Sequence, residues 1–514
     1  MFGRINLNKF ENSIGGAAII IAVFSVLTKI LGLWRDRLLA SSFGASETLD
    51  AYLAAFRLPD LVFNTLILGA FSSAFIPVFL AYWRKDKAEA WRIVNSTLNI
   101  LFAVIFVLSI LIIIFAPWLV RLIVPGLSYY AQSLTIKLTR IISLSILFFT
   151  LSNVISSVLN SFHKFLAYSL APLMYNLGII FGILFLVKTN LGVSGLAWGV
   201  VLGSFLHLIV QLPSLFKTGF VWRPLFSLSA GVKEIFLLMT PRFLGLAINQ
   251  VNVLTTTAIA SFVASGAIAI YNLAFNLASV PVGLIGVPLA ISVFPVLSQS
   301  YAAKDEQVFA SKLSKTTRQI FYFILPLTVI FFLFRKEIIE IILQTGLFTK
   351  KDSFLAAQTL GFFSLSLFAQ SLIPLLARAF YAQHNTKTPV YAAVLSLIIN
   401  ILGCLVFGKT LGVSGLGLAF TLSSFVNFFL LYFLLKGHGL GFQKRDVYPI
   451  LKFLLLSFLT GLLIIFLKFF LASMPNLMKT AIIILAAISF YYFLSLIYKI
   501  EEAKKLKDFL KFFQ

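Results

Sequence analysis

Between residues 29 and 60, Lys29, Arg35, Asp36, Arg37, Asp50, Arg57 and Asp60 stand in otherwise hydrophobic sequence. Guanidinium groups pair with phosphate oxygens through two parallel hydrogen bonds, so Arg35 and Arg57, with Lys29 beside them, suit an anionic substrate, a phosphate or diphosphate first of all. Asp50, Arg57 and Asn64 recur every seven residues and Asp60 lies three beyond Arg57, which aligns them as a polar stripe on one side of a helix. Pro59 removes a backbone hydrogen bond near Arg57 and leaves groups that a hydrated cavity can satisfy. One helix earlier, Lys29 and Asp36 share a face while Arg35 points about a quarter-turn away. A second reading makes Arg35, Asp36 and Asp50 a buried ion-pair cluster that closes the extracytoplasmic end. Asp36, Asp50 and Asp60 are thus candidates for gating or ion pairing. Arg242 and Arg378 are candidate cations from the second half of the chain, or residues that snorkel to the interface.

These charges must be positioned by membrane-spanning helices. The chain of 514 residues is 60% hydrophobic and 11% charged, with mean hydropathy +1.01. That composition excludes an ordinary soluble domain and predicts an all-α polytopic membrane protein. Fourteen spans are expected, starting near Ile14, Ala51, Trp91, Gln132, Leu166, Val193, Ile235, Ala267, Leu313, Ala356, Val390, Gly412, Ile450 and Leu477. A charge at mid-membrane costs roughly 2.5–3.5 kcal/mol on insertion scales, so a cluster of them implies a hydrated cavity or a charged ligand.

The net charge of +24 has a topological explanation, because Lys and Arg accumulate in cytoplasmic loops; nucleic-acid binding does not follow from it. Arg84, Lys85, Lys87 and Arg92 follow the second span, Lys304, Lys312, Lys315 and Arg318 the eighth, and Lys499 to Lys511 the last, which predicts both termini on the cytoplasmic side. The first hydrophobic run reads as a retained span, and the basic tail as either an amphipathic surface segment or a solvated one. Cys404 is the single cysteine, and the four histidines are scattered, so no metal site or cofactor is expected. Arg335, Lys336, Glu337 and Glu340 read as self-neutralising pairs at a helix end.

An internal repeat organises the chain. LGVSGL occurs at residues 191–196 and again at 411–416. Near an offset of 219, AYLAAFRL at 51–58 faces IYNLAFNL at 270–277, and AFIPV ending at Val78 faces SVFPV ending at Val296. Six spans per repeat give two parallel lobes, residues 1–220 and 221–440, with a substrate site between them, and two accessory helices with a basic tail at 441–514. At the same offset, Lys29, Arg35, Asp36 and Arg57 correspond to Ile248, Leu254, Thr255 and Asn276. A structural need would appear in both copies, so charge in one favours a ligand role.

LGLWRDRLLASSFGAS, LDAYLAAFRLPDL and GAFSSAFIPVF, with TPRFLGLAINQ, SVPVGLIGVPLA and RAFYAQHNTKTPV, resemble the MurJ (MviN) family of lipid II flippases, within the multidrug, oligosaccharidyl-lipid and polysaccharide exporter group. The resemblance runs from the first span through the twelfth. It implies a bacterial cytoplasmic-membrane transporter, monomeric, that moves lipid-linked peptidoglycan precursor to the outer leaflet by alternating access, with lipid II and membrane lipids as its partners. Arg35, Asp36 and Asp50 match family-important positions; Arg57 and Lys29 stand where basic residues are usual. Asn276 replaces an expected Arg, Phe63 and Asn64 replace basic residues after the proline, and Leu68 replaces an acid. The resemblance then leaves Arg35, Arg57, Lys29 and Arg242 to hold the diphosphate, with Asn64 and Asn276 completing the set. Thr256 stands where relatives carry a cation ligand, which weakens sodium coupling and leaves membrane potential or a monovalent cation as driver.

A flippase for another polyprenyl-diphosphate-linked glycan, of O-antigen or capsule type, would need a similar site. A cation-coupled drug exporter would instead place acids and aromatics in its cavity. A membrane glycosyltransferase would need paired carboxylates on a sizeable loop, and the sequence has none.

Overall fold

The computed structural model describes residues 14–68, 71–437 and 444–504. The tail beyond Lys504, the residues before Ile14 and the side chain of Arg242 lie outside the described residues. Every regular element is helical among the described residues, ten helices are long and apolar enough to cross a membrane, and a bent pair at Lys350–Leu365 and Leu367–Ala382 makes an eleventh.

The chain divides into two compact units, Met1–Ala269 and Ile270–Gln514. The first holds α1 (Ile14–Phe43), α2 (Glu47–Ala55), α3 (Arg57–Phe63) with a π-helical turn at Asn64–Leu68, and α4 (Phe71–Lys85). It continues with α5 (Lys87–Ile123), α6 (Tyr129–Ile142), α7 (Ser145–Ser161), α8 (Phe165–Leu184), α9 (Ser194–Ile209), the short α10 (Leu212–Phe216) and α11 (Ala230–Val263). The packing boundary falls after Ala269 rather than near residue 220, where the repeat begins, because α11 packs against α4 and α5.

Helix starts follow from local chemistry. Asp86 accepts the N–H groups of Ala88 at 2.8 Å and Glu89 at 3.2 Å, satisfying donors that the first turn of α5 leaves open. The α8–α9 hairpin turns at LGVSGL: Gly192 has φ +52°, and a Cβ on Gly195 would fall 2.5 Å from the Leu186 carbonyl carbon. The second LGVSGL repeats both features, with φ +63° at Gly412 and a Cβ on Gly415 only 2.0 Å from the Phe407 oxygen.

In the second unit, α12 (Ala267–Pro281, of which all but the first three residues belong here) passes through a π-helical turn at Val282–Gly286 into α13 (Val287–Ala302). Then come α14 (Glu306–Leu333), α15 (Arg335–Ile342), α16 (Lys350–Leu365), α17 (Leu367–Ala382), α18 (Lys387–Leu411), α19 (Val413–Gly437), α20 (Lys444–Phe470) and α21 (Asn476–Ile497). The last two helices close on α14 through Ile330, Phe334, Ile464, Ile483 and Ala487. Arg318 ties this end down, reaching Asp446 at 4.0 Å, Glu501 at 3.3 Å and Glu502 at 3.6 Å.

The self-neutralising pairs expected at 335–340 form only in part. Lys336 and Glu340 pair at 3.8 Å, but Glu337 takes Lys468 of α20 at 2.5 Å, and Arg335 donates to the Phe332 carbonyl at 2.7 Å. Glu337 faces α20, so the nearest cation in space is 131 residues away in sequence.

Candidate functional site

The charged stretch folds into two polar groups within the first unit and one separate tether. On α1, Arg35 donates from Nε at 3.0 Å and from Nη2 at 2.8 Å to Asp36 Oδ1, and from Nη1 at 3.2 Å to Asn176 Oδ1 of α8. Asn176 is aimed by its own donation to the Pro172 carbonyl at 3.0 Å. Lys29 stands within electrostatic range of both Arg35 and Asp36. The Arg35 side chain keeps 22% of its surface exposed against 6% for Asp36.

Asp50 does not join that pair, as the ion-cluster reading expected. Its oxygens accept backbone N–H groups from Gly266 at 2.7 Å and Ala269 at 2.8 Å, within the same unit. A fully buried carboxylate is tolerated here because charge-assisted bonds to amides replace its hydration. The 219-residue separation to Ala269 equals the repeat offset, so Asp50 bonds the residue at its own equivalent position.

The second polar group surrounds a cavity of about 230 Å³ inside the first unit. Its polar wall is Asp60 of α3, Asn64 of the π turn, Ser145 of α7, Tyr175 of α8 and His207 of α9. Phe56, Phe63 and Phe149 form most of the apolar wall. Pro59 and Pro172 line the cavity as well, each at a place where its helix lacks a backbone N–H donor. Arg57 acts electrostatically on Asp60, and Tyr175 on both Asp60 and Arg35, so Tyr175 links the two groups. Thr65 donates to the Leu61 carbonyl, absorbing an acceptor that the π turn displaces.

Asp60 and Asn64 thus line one cavity with Arg57 acting on Asp60, Arg35, Asp36 and Lys29 form their own group, and Asp50, which the seven-residue spacing puts on the same stripe, is set apart on backbone amides. Asn276 lies half-buried on α12 in the second unit, and Arg378 on α17 donates to the Pro374 carbonyl at 3.1 Å. Tyr175, Asn176 and His207 escaped the sequence reading. Their signal is faint: Tyr-Asn four residues after a proline, and one imidazole, each in an otherwise apolar helix.

The chain is a polytopic helical fold with polar groups buried inside one half, and solved structures share that fold. At 14% identity and TM-score 0.67, over 81% of this chain and 98% of the other, it shares its fold with an inward-facing multidrug resistance MATE family transporter of the MOP superfamily. The family described as lipid II flippase MurJ matches residues 39–489, and the chain belongs to that family. A probable lipid II flippase MurJ from Buchnera aphidicola (Schizaphis graminum) is 32% identical over 459 residues, 88% of this chain and 89% of that one. The lipid II flippase MurJ of Burkholderia cenocepacia is 31% identical over 443 residues, 84% of each chain. A structure of lipid II flippase MurJ in an inward closed conformation superposes with TM-score 0.79 at 28% identity, covering 94% of this chain and 99% of that one. The family is one of transporters, and this chain is a multi-pass membrane protein.

Proposed function

We propose that this chain is a lipid II flippase that carries lipid-linked peptidoglycan precursor from the cytoplasmic to the outer leaflet of the bacterial cytoplasmic membrane. The observation that carries this reading is the family match over residues 39–489. The substrate is moved without chemical change, by alternating access through fourteen spans with both termini cytoplasmic, in a single copy of the chain.

Arg35 and Arg57 hold the diphosphate, Lys29 adds long-range attraction, and Asn64, Arg242 and Asn276 complete the headgroup contacts. The partly exposed Arg35 side chain supports this role, since its guanidinium is already oriented by Asp36 and Asn176. Asp36, Asp50 and Asp60 set which conformations the charges allow. Membrane potential is a sufficient driver in kind, because one charge moved through 100 mV is worth about 2.3 kcal/mol.

Depletion of the protein followed by labelling of the lipid-linked precursor pools tests the reading. Lipid II should accumulate on the cytoplasmic side. Accumulation of a different polyprenyl-diphosphate glycan, with lipid II unchanged, overturns it.

A further inference from the structure

We propose that the cavity of the first unit is a proton-binding site, where Asp60 and His207 share one proton and so control how strongly Arg57 attracts an anion. The proton-binding half stands by itself; the link to substrate rests on the flippase reading above.

The cavity brings a carboxylate from α3, a phenol from α8 and an imidazole from α9 to one small space. His207 is braced from behind. Its Nδ1 lies 2.6 Å from Ser152 Oγ, Gln211 Nε2 donates to that oxygen at 2.6 Å and to the His207 carbonyl at 3.0 Å, and Ser156 donates to Gln211 Oε1 at 2.7 Å. The Ser152 hydroxyl has two acceptors in reach, Nδ1 and the His207 carbonyl at 3.2 Å. The network is therefore complete whether Nδ1 carries a hydrogen or a lone pair, and the ring can change protonation state without orphaning a buried group. Nε2, with no hydrogen-bond partner among the described residues, is left for water in the cavity.

Asp60 likewise has no hydrogen-bond donor among the described residues, only the fields of Arg57 and Tyr175. Among the described residues no other charge lines the cavity with the pair. From α6 and α7 the wall receives Ile142, Ser145, Ile146 and Phe149, while Lys137 and Arg140 are exposed elsewhere. Arg35 of α1 reaches Tyr175 but is bonded to Asp36, and Asp50 of α2 is taken by backbone amides. On α4, α5 and α11, Arg84, Lys85, Lys87, Arg92, Arg121, Lys233 and Glu234 are exposed, and Glu89 pairs with Arg92.

A hydronium ion in the cavity gives its proton to the Asp60 carboxylate or to His207 Nε2 and leaves as water, raising the local charge by one. Arg57, one helical turn before Asp60, then no longer shares its field with a full carboxylate, and an anionic headgroup binds more tightly. By linkage the anion raises proton affinity by the same factor.

The test is calorimetric titration of the purified full chain in detergent with a farnesyl diphosphate sugar diester, whose phosphates stay singly ionised from pH 5.5 to 8. Two buffers of different ionisation enthalpy count the protons taken up. Proton uptake should accompany binding, and affinity should fall about tenfold across the range. Asp60→Asn should bind at the tight limit with little pH dependence, and His207→Gln should reduce uptake. Binding without uptake, or uptake unchanged in both variants, overturns the proposal. Absence of binding at every pH overturns the diphosphate reading instead. The proton site is then read without ligand from the histidine NMR signal that His207→Gln removes: it should titrate between pH 5.5 and 8 and shift its midpoint in Asp60→Asn, and a signal fixed across that range overturns the proposal.

Discussion

The run from Glu47 to Lys85 and its repeat counterpart from Ala267 to Ala302 share a backbone irregularity and differ in chemistry. Both break into a π-helical turn, at Asn64–Leu68 and at Val282–Gly286, an offset of 218. Both open on a tyrosine and a phenylalanine one turn apart: Tyr52 and Phe56 meet edge-on at 5.1 Å, and Tyr271 and Phe275 stack at 6.4 Å. Beyond that point the copies part. The first continues with Arg57 acting on Asp60 and with Asp60 and Asn64 in the polar wall of a cavity, whereas in the second Tyr271 and Phe275 pack on Phe363, and Phe275 also on Phe420. The broken helix is thus a property of the repeat, and charge was placed on one copy of it. A π turn accommodates an apolar environment as readily as a polar one, so the turn alone marks flexibility of design and the charges mark the site.

The largest effect should come from erasing the chemistry while keeping the backbone. Arg35→Ala and Arg57→Ala should each abolish complementation of a flippase-depleted strain at wild-type expression. Normal growth of both variants would dissolve the contrast between the copies, leaving the charges without a role in transport. Asp50→Ala should come next and act on stability. It leaves the Gly266 and Ala269 amides buried without their acceptor, at about 1–3 kcal/mol each, and a thermal melt in detergent would record it.

The second copy has its own sensitive point. A Cβ on Gly286 would lie 2.7 Å from the Ser371 Cβ, so Gly286→Ala should force α17 away from the π turn and cost about 1–3 kcal/mol, read as a lower melting temperature. An unchanged melt would show that the turn yields freely. Asn276→Arg carries the missing charge into the apolar copy, at the position equivalent to Arg57. A faster rate of precursor translocation, worth about 1 kcal/mol or less in transition-state terms, would show that the asymmetry limits this transporter. A drop to the level of Arg57→Ala would show that the second copy must stay neutral.

The repeat was legible because helices of one length and the same turn residues recur, and both copies of LGVSGL fold as that recurrence requires. The stripe of Arg57, Asp60 and Asn64 was legible because helical spacing is a local property. Asp50 was read as an ion-pair partner, and its true partners are backbone amides, which no residue type announces. One clue lay unread: SFGAS at 42–46 and SFVAS at 261–265 match at the same offset, flanking the loop whose amides Asp50 accepts. Tyr175 and His207 were invisible for a different reason. A lone phenol or imidazole in an apolar helix acquires meaning only when packing brings it to the same cavity as Asp60 and Asn64.

The smallest effect is expected at Arg335, a cation in the second unit that has the residue type of the site and none of its surroundings. Its Nη1 donates to the Phe332 carbonyl at 2.7 Å, its guanidinium lies 4.8 Å from the Phe332 ring centroid, and its Cδ fills the space beside Gly361. These contacts are local to one helix junction, and at a partly exposed position a cation–π contact is worth about 0.5–1 kcal/mol. Arg335→Ala should therefore lower the melting temperature slightly and leave complementation intact, because no second polar element is aimed by the residue and none aims it. Loss of growth from this change would mean that an arginine can serve transport without partners such as Asp36 and Asn176 beside Arg35, or Asp60 beside Arg57. The contrast between the two copies would then rest on the number of charges rather than on how they are held.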